Sequence, residues 1–191
     1  MKKILLFSVI IGIWPFMLSC KHSGKSVSQI AKEERCVEES DTEYTKTFPE
    51  YGFSITAPCK LEDVSAHSKG NFLVNLGGFT DGNDVTKMAA YQFIVTRLPV
   101  GYKNLSKSEL SNKVDDMLRQ QVANFNNVEP IKVGYEGFPG YVGYTEHNGL
   151  QQKGIMFVVN NYIIAMTVMT NSDLEAKFNK FSNGFRILHG N

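Results

Sequence analysis

The sequence has few of the residues from which metal sites and thiol chemistry are built. Of its 191 residues, 3 are cysteine and 4 are histidine. The histidines, His22, His67, His147 and His189, are far apart, and none belongs to the i, i+4 pair typical of a metal site on a helix. The chain also lacks a Gly-x-Ser-x-Gly elbow and a His-Glu-x-x-His motif. We therefore predict no catalytic residue, no metal and no cofactor.

An excess of charge of either sign is also missing. The chain has 20 Lys plus Arg against 19 Asp plus Glu. A protein held on nucleic acid by phosphate contacts needs a basic excess or stripe, so we predict no nucleic-acid partner. Hydrophobic residues make up 42% of the chain and aromatic residues 12%, which is enough for the core of one ordinary domain.

Long hydrophobic runs are scarce, and the clearest one lies at residues 4–18, directly after Lys2 and Lys3. A helix that crosses a bilayer needs roughly twenty apolar residues, and this run is shorter. A positive start followed by a short apolar run and small residues is typical of a secretory signal peptide. We assign residues 1–19 to that signal and predict that the protein is exported.

The end of this signal, Met17-Leu18-Ser19-Cys20, resembles the lipobox of bacterial lipoproteins. The resemblance implies cleavage before Cys20, acylation of that cysteine with fatty acids such as palmitate, and attachment to a membrane through the lipid. Lys21 stands after Cys20 where aspartate would favour retention in the inner membrane. We thus expect a bacterial cell-envelope protein anchored in the outer membrane, facing the periplasm or the cell surface.

Residues 20–46 are polar and charged, and this composition predicts a lipid-anchored flexible tether. Residues 47–191 then form the single folded domain. With Cys20 acylated, Cys36 and Cys59 are left, and in an oxidising compartment they can form a disulfide or stay as two separate thiols. A disulfide would close a loop of about two dozen residues, worth roughly 3 kcal/mol in the chain-entropy model.

Alternating and helical periodicities predict a sheet covered by helices. A stripe that includes Leu118 at three- and four-residue spacing, after an N-cap at Ser106, predicts a long helix in mid-chain. Ser172 and Glu175 predict a second capping box. Strands are predicted at 53–57, 72–76, 88–98, 131–135, 141–146, 154–159 and 162–170. Turns are predicted at 77–84, 137–140, 148–149 and 160–161.

The order of these elements resembles the PsbP-like fold. The resemblance is carried by the opening strand at 51–55, the long helix, the turn at 137–140, the Tyr-centred hairpin and the closing segment 182–186. It implies an α+β domain in which an antiparallel β-sheet is sandwiched by helices (α/β/α). The fold is shared by a photosystem II subunit, a Ran-binding import factor and small bacterial lipoproteins, and no functional residue carries over from them.

Two functions from different classes fit these features. The first is a membrane-anchored, non-enzymatic binding or interaction module with a protein or small-ligand partner. The second is an envelope hydrolase or thiol enzyme whose residues converge only in the fold. A deep pocket holding His67 or His147 beside Cys59 or a carboxylate would favour the enzyme.

Overall fold

The computed structural model describes residues 36–37, 43–67, 72–81, 88–102, 107–123, 130–135 and 138–188. Within these ranges the chain forms eleven strands, two α-helices and two short 3-10 helices, at Ser65–His67 and Val100–Tyr102. The strands are β1 (Cys36–Val37), β2 (Tyr44–Phe48), β3 (Phe53–Ala57), β4 (Glu62–Asp63), β5 (Val74–Asp81), β6 (Ala89–Arg97), β7 (Ile131–Tyr135), β8 (Phe138–His147), β9 (Leu150–Val159), β10 (Tyr162–Thr170) and β11 (Phe185–Ile187). The helices are α1 (Lys107–Ala123) and α2 (Leu174–Ser182).

The strands form one large sheet and one small one. The large sheet has the order β1-β5-β6-β10-β9-β8-β7, and β4 also pairs with β5. All its pairs are antiparallel except β1 with β5. The small sheet has the order β11-β3-β2. Helix α1 packs on one face of the large sheet, the α1 face, and α2 and the small sheet pack on the other, the α2 face.

Strands β6 and β10 lie in the middle of the large sheet and are buried on both faces. Successive side chains of a strand point to opposite faces, so β6 sends Phe93 and Val95 to the α2 face and Ile94 to the α1 face. The strands predicted at residues 88–98 and 162–170 are thereby confirmed. The observed architecture confirms the predicted α+β class, an antiparallel sheet between helical layers.

Helix α1 covers the sheet with the predicted stripe. Val114, Met117, Leu118 and Val122 are buried against Tyr141 and other residues of the α1 face, whereas Gln120 on the opposite side is exposed. The stripe predicted from the sequence is confirmed for these four residues. The predicted N-cap Ser106 lies outside the described residues.

Helix α2 begins differently from its prediction. Asp173 occupies the N-cap with φ 51° and makes no side-chain cap hydrogen bond. Ser172 does not cap the helix, because its hydroxyl oxygen accepts a hydrogen bond from Lys177 Nζ at 3.0 Å. Glu175 instead pairs with Lys153, with Oε2 and Nζ 2.5 Å apart. The predicted capping box is therefore wrong, although the helix itself is present.

The described parts of two predicted turns belong to strands. Residues 77–81 continue β5, and 77–80 pair with β6. Residues 138–140 begin β8 and pair with β7, whereas 82–84 and 137 lie outside the described residues. Gly78 is needed there because a Cβ would come 2.6 Å from the carbonyl oxygen of Lys60, which crosses above it. The glycines that suggested a turn thus make room for a crossing chain.

Two other turns are confirmed. Asn148 and Gly149 have φ 53° and 77°, and Asn160 and Asn161 have φ 48° and 67°. Positive φ at both central residues produces a two-residue hairpin that follows the twist of the strands. These turns connect β8 to β9 and β9 to β10.

Ordered strands begin before residue 47. Strand β2 starts at Tyr44, and β1 lies further back at Cys36 and Val37. Along β2, residues 44–47 are exposed, so the segment lacks the buried alternation by which a sequence identifies a strand. Part of the polar segment assigned to the tether therefore belongs to the two sheets.

Candidate functional site

The residues singled out in the sequence lie in different parts of the fold. Cys20 lies outside the described residues. Cys36 is in β1, His67 ends the short helix Ser65–His67, and His147 ends β8. Cys59 lies against β5. Strand β8, which ends at His147, is four strand spacings from β5, or roughly 19 Å. The fold therefore does not bring His147 beside Cys59.

Cys59 is buried at 1% exposure between the two sheets. Its Sγ lies 2.8 Å from the position that a Cβ would take on Gly78. Tyr91, opposite Gly78 on β6, is also buried, and burial raises the pKa of its phenol to about 12, against a smaller lowering by a hydrogen bond with Thr80. Tyr91 therefore stays protonated at neutral pH and supplies no base to the thiol.

A shallow groove runs along the α1 face beside the end of α1. The empty space of the groove, counted together with the solvent at its open mouth, is about 340 Å³. Its floor contains Gly143 and Gly154, which are paired across β8 and β9 and leave the sheet without side chains there. It is lined by Val122, Gly143, Thr145, Gln152, Gly154, Ile155, Met156, Ala165 and Thr167.

The described lining of the groove offers hydrogen bonds but no ionisable side chain. Thr145, Gln152 and Thr167 supply hydroxyl and amide groups, and no histidine, cysteine, aspartate or glutamate is among the described residues that line it. General acid-base or nucleophilic chemistry requires such a group within reach of the substrate. The described lining of the groove therefore suits contact with an uncharged group.

Asp115, Lys132 and Tyr141 form a polar cluster at the edge of the α1 face. The Tyr141 hydroxyl donates to Asp115 Oδ2 at 2.9 Å, and Lys132 Nζ lies 2.5 Å from Oδ1. Oδ1 is buried, and the nearby ammonium group compensates its charge. The cluster joins α1 to β7 and β8, and no sequence pattern connects residues so far apart in the chain.

The pKa shifts in this cluster keep each group in its ordinary state at neutral pH. The hydrogen bond and charge of Lys132 lower the pKa of Asp115, and Asp115 in turn raises the pKa of Lys132. Burial, followed by the nearby Asp115, raises the pKa of Tyr141. With the carboxylate ionised, the amine charged and the phenol protonated, none is poised to exchange a proton near pH 7. The cluster therefore positions α1 and does not act as an acid or base.

An apolar ribbon lies exposed at the β7 edge of the large sheet. We define it as the outer part of the α2 face formed by Ile131, Val133, Val142 and Tyr144. Ile131 is 65% exposed and Tyr144 is 39% exposed, whereas the two valines are partly buried. Helix α2 packs mainly on β9 and β10, and Ile131 and Tyr144 of the ribbon stay exposed.

Lys153 marks the border between the covered and the exposed parts of this face. Its Nζ pairs with Glu175 of α2 and lies 4.8 Å from the centre of the Phe178 ring. Tyr144, directly opposite Lys153 on β8, is the first residue beyond this border. The sequence did not reveal the ribbon, because alternation shows that one face of a strand is apolar and not whether a helix covers it.

The described ranges contain neither a cluster of metal ligands nor a membrane-spanning helix. No group of three or more His, Cys, Asp and Glu residues there could hold a metal ion. None of the helices in those ranges is long and apolar enough to cross a membrane.

Comparison with known proteins identifies the fold. No family model and no curated protein sequence matches the chain. Among solved structures, the chain is similar to the solution structure of cyanobacterial PsbP (CyanoP) from Synechocystis sp. PCC 6803, with a TM-score of 0.51 and 12% sequence identity. The match covers 78% of this chain and 94% of that one. The resemblance seen in the order of elements is thus confirmed at the level of architecture, and the domain of this chain has a PsbP-like fold.

Proposed function

We propose that the protein is an exported lipoprotein, anchored in the outer membrane of a bacterial envelope by lipid on Cys20, and that it acts there as a non-enzymatic protein-binding module. The signal features of residues 1–20 support the anchor. The exposed apolar ribbon supports the binding role, and it is the observation on which the proposal rests.

The ribbon suits a partner that supplies an extended strand. Strand β7 is the last strand of the large sheet among the described residues, with β8 as its one neighbour there, so its outer backbone groups are open to pairing. An open edge beside apolar side chains is the arrangement used in β-strand addition, where backbone hydrogen bonds give affinity and side chains give specificity. We therefore expect the partner to add a strand to β7 and to cover Ile131 with an apolar residue.

The charge on β7 does not oppose this contact. A lysine on an edge strand commonly discourages pairing with another strand. Here Lys132 lies on the α1 face, where its ammonium group pairs with Asp115, and Ile131 and Val133 lie on the other face. The β7 part of the ribbon is thus left apolar, because the charge of Lys132 lies on the other face and is paired with Asp115.

Fractionation of cells tests the anchor. Cys20→Ala should move the protein from the membrane fraction to the soluble fraction, because the acylated thiol is lost. Cys36→Ala is the matched control, since it removes a different thiol and should leave the protein bound. Retention of the Cys20→Ala variant in the membrane would overturn the anchor.

Site-specific photo-crosslinking in intact envelopes tests the binding surface. A photoreactive residue at Ile131 should give a discrete crosslinked protein, and the same residue at Val100, which is 77% exposed in another part of the molecule, should not. Ile131→Lys should then lower recovery of that partner at least about tenfold, the effect of losing a modest hot spot. Val100→Lys should leave recovery unchanged. Equal loss in both variants, or crosslinks from both positions, would contradict docking on the ribbon.

A further inference from the structure

The chain crosses over β5 just after β3 ends at Ala57. At this crossing the carbonyl oxygen of Lys60 and the sulfur of Cys59 both lie within 3 Å of the place that a Cβ on Gly78 would occupy, at 2.6 and 2.8 Å. The sulfur therefore sits directly above β5, on the face to which Gly78 would direct a side chain. The chain then continues to the outer edge of β5, where it pairs as β4.

Strand β1 meets β5 at the same outer edge. Cys36 is aligned with Thr80 in a parallel pair, and Thr80 is two residues from Gly78. Aligned residues of neighbouring strands lie on one face, and so do residues two apart along a strand. One strand spacing across and two residues along place Cys36 roughly 8 Å from Gly78 between Cα atoms. The register thus places position 36 on the face of β5 where the Cys59 sulfur lies.

We infer that Cys36 and Cys59 form a disulfide that fastens β1 to the outer edge of β5. The fold brings positions 36 and 59, which are 23 apart in the chain, to the same face beside β5, in a domain with no other cysteine after Cys20. A two-residue strand forms few backbone hydrogen bonds, so a covalent bond would hold β1 where pairing alone is weak. The inference rests on export, because disulfides persist in oxidising compartments.

The bond forms by thiol-disulfide exchange with a protein disulfide oxidase of the envelope. One cysteine thiolate attacks the disulfide of the oxidase and forms a mixed disulfide, and the second thiolate displaces the oxidase. The two cysteines lose two protons and two electrons in total, and the oxidase disulfide is reduced to a dithiol. No other reactant is needed.

The disulfide would also orient the proposed binding surface. In the order of the large sheet, β1 and β7 are at opposite ends, six strand spacings or roughly 29 Å apart. The anchored segment from Cys20 would then join the domain at the β1 edge. The apolar ribbon at the β7 edge would therefore be presented away from the membrane anchor.

Peptide mapping of the full chain from the membrane fraction tests the bond. The protein is denatured in an alkylating reagent without reductant and is digested with trypsin, which cuts after Arg35, Lys46 and Lys60. We expect peptides 36–46 and 47–60 to be joined by the disulfide. They should separate only after reduction, and renewed alkylation should then label both thiols. Cys36→Ser should expose Cys59 to the reagent, and Cys59→Ser should expose Cys36.

The outcomes separate this inference from the proposed function. Alkylation of both cysteines without reductant, in protein that is membrane-bound, would overturn the disulfide and leave the anchor intact. A disulfide-linked peptide that contains Cys20 in place of Cys36 or Cys59 would overturn both the proposed disulfide and the lipid anchor on Cys20. If the protein is not in the membrane fraction, the purified full chain is treated with oxidised glutathione. Joining of peptides 36–46 and 47–60 then supports the disulfide, although the anchor has failed. If the two peptides do not join, the disulfide is overturned.

Discussion

The two faces of the large sheet are built from the same strands, yet they are packed in different ways. On the α2 face, aromatic rings meet in the core, with Phe157 and Phe185 centred 5.2 Å apart and Phe53 and Phe93 5.9 Å apart. On the α1 face, the row that crosses the sheet from Gly77 to Gly143 contains Gln92, Thr167 and Gly154 in the three strands between. Alternate residues of one strand thus contribute to an aromatic core and to a small, polar layer.

Because the two faces are packed differently, the α2 face contributes mainly to stability and the α1 face carries the groove. Rings bury large apolar areas and pack closely, so the α2 face carries most of the hydrophobic stabilisation. Small and polar residues bury less area and leave the groove beside α1. Besides Asp115 Oδ1, which is paired with Lys132, the α1 face contains two buried oxygens without a hydrogen-bond partner among the described residues, Thr96 Oγ1 and Gln121 Oε1. Substitutions on the two faces should therefore differ in size and, at Gln121, in sign.

The largest effect is expected on the α2 face. Phe157→Ala removes a fully buried ring that packs edge-on against Phe185, and it should lower the free energy of unfolding by about 3 to 5 kcal/mol. Urea denaturation of the purified protein measures the change. Tyr144→Ala, which removes a ring from the exposed ribbon, is the control and should cost less than about 1 kcal/mol. Equal losses for the two variants would contradict the assignment of the core.

A smaller loss is expected beneath α1. Leu118→Ala removes a fully buried side chain from the helix stripe, and large-to-small changes of this kind cost about 2 to 5 kcal/mol. We expect a value near the lower limit, because the groove and the small residues below α1 give the helix room to settle onto the sheet. Gln120→Ala, at the exposed neighbouring position, should change stability by about 0.5 kcal/mol or less. An unchanged melting temperature for Leu118→Ala would refute the stripe.

Many of the strands, helices and turns could be predicted from the sequence, because the spacing of apolar residues and the turn residues are local features of the chain. The alternation along β6, the stripe of α1 and the Asn-Gly turn after His147 are each set by residues a few positions apart. The strand through Gly77 and Gly78 was missed because glycine favours turns locally and is required here by the chain that crosses above it.

Features that depend on distant residues could not be predicted. The small sheet joins β3 to β11, which are separated by most of the domain, and Ser172 loses its expected capping role because Lys177 binds its hydroxyl. The ribbon is a candidate site because α2 packs mainly on β9 and β10 and leaves Ile131 and Tyr144 exposed. Tertiary packing decides each of these, and a single sequence does not contain it in any local pattern.

Gln121 offers a change of opposite sign. Its side chain is buried at 7% exposure, and its Oε1 makes no hydrogen bond within the described ranges. A buried polar group without a partner costs about 1 to 3 kcal/mol, so Gln121→Leu should raise the free energy of unfolding by about 1 kcal/mol. Gln120→Leu, one residue away and exposed, should have almost no effect. A loss of stability in Gln121→Leu would show that the amide is satisfied.

The smallest effect is expected at Asp115, and it should depend on pH. Lys132 lowers the pKa of this carboxyl below its ordinary value of 3.8, so ionisation stabilises the folded state above that value and the contribution is lost as pH falls through the lower, folded-state pKa. Asp115→Asn keeps an acceptor for the Tyr141 hydroxyl and removes only the charge. The wild type should therefore melt above the variant at about pH 6, and the gap should close towards about pH 2. Lys132→Gln should show the same trend, because it removes the other half of the ion pair. A gap that stays constant over this range would mean that the ion pair does not hold α1 against β7.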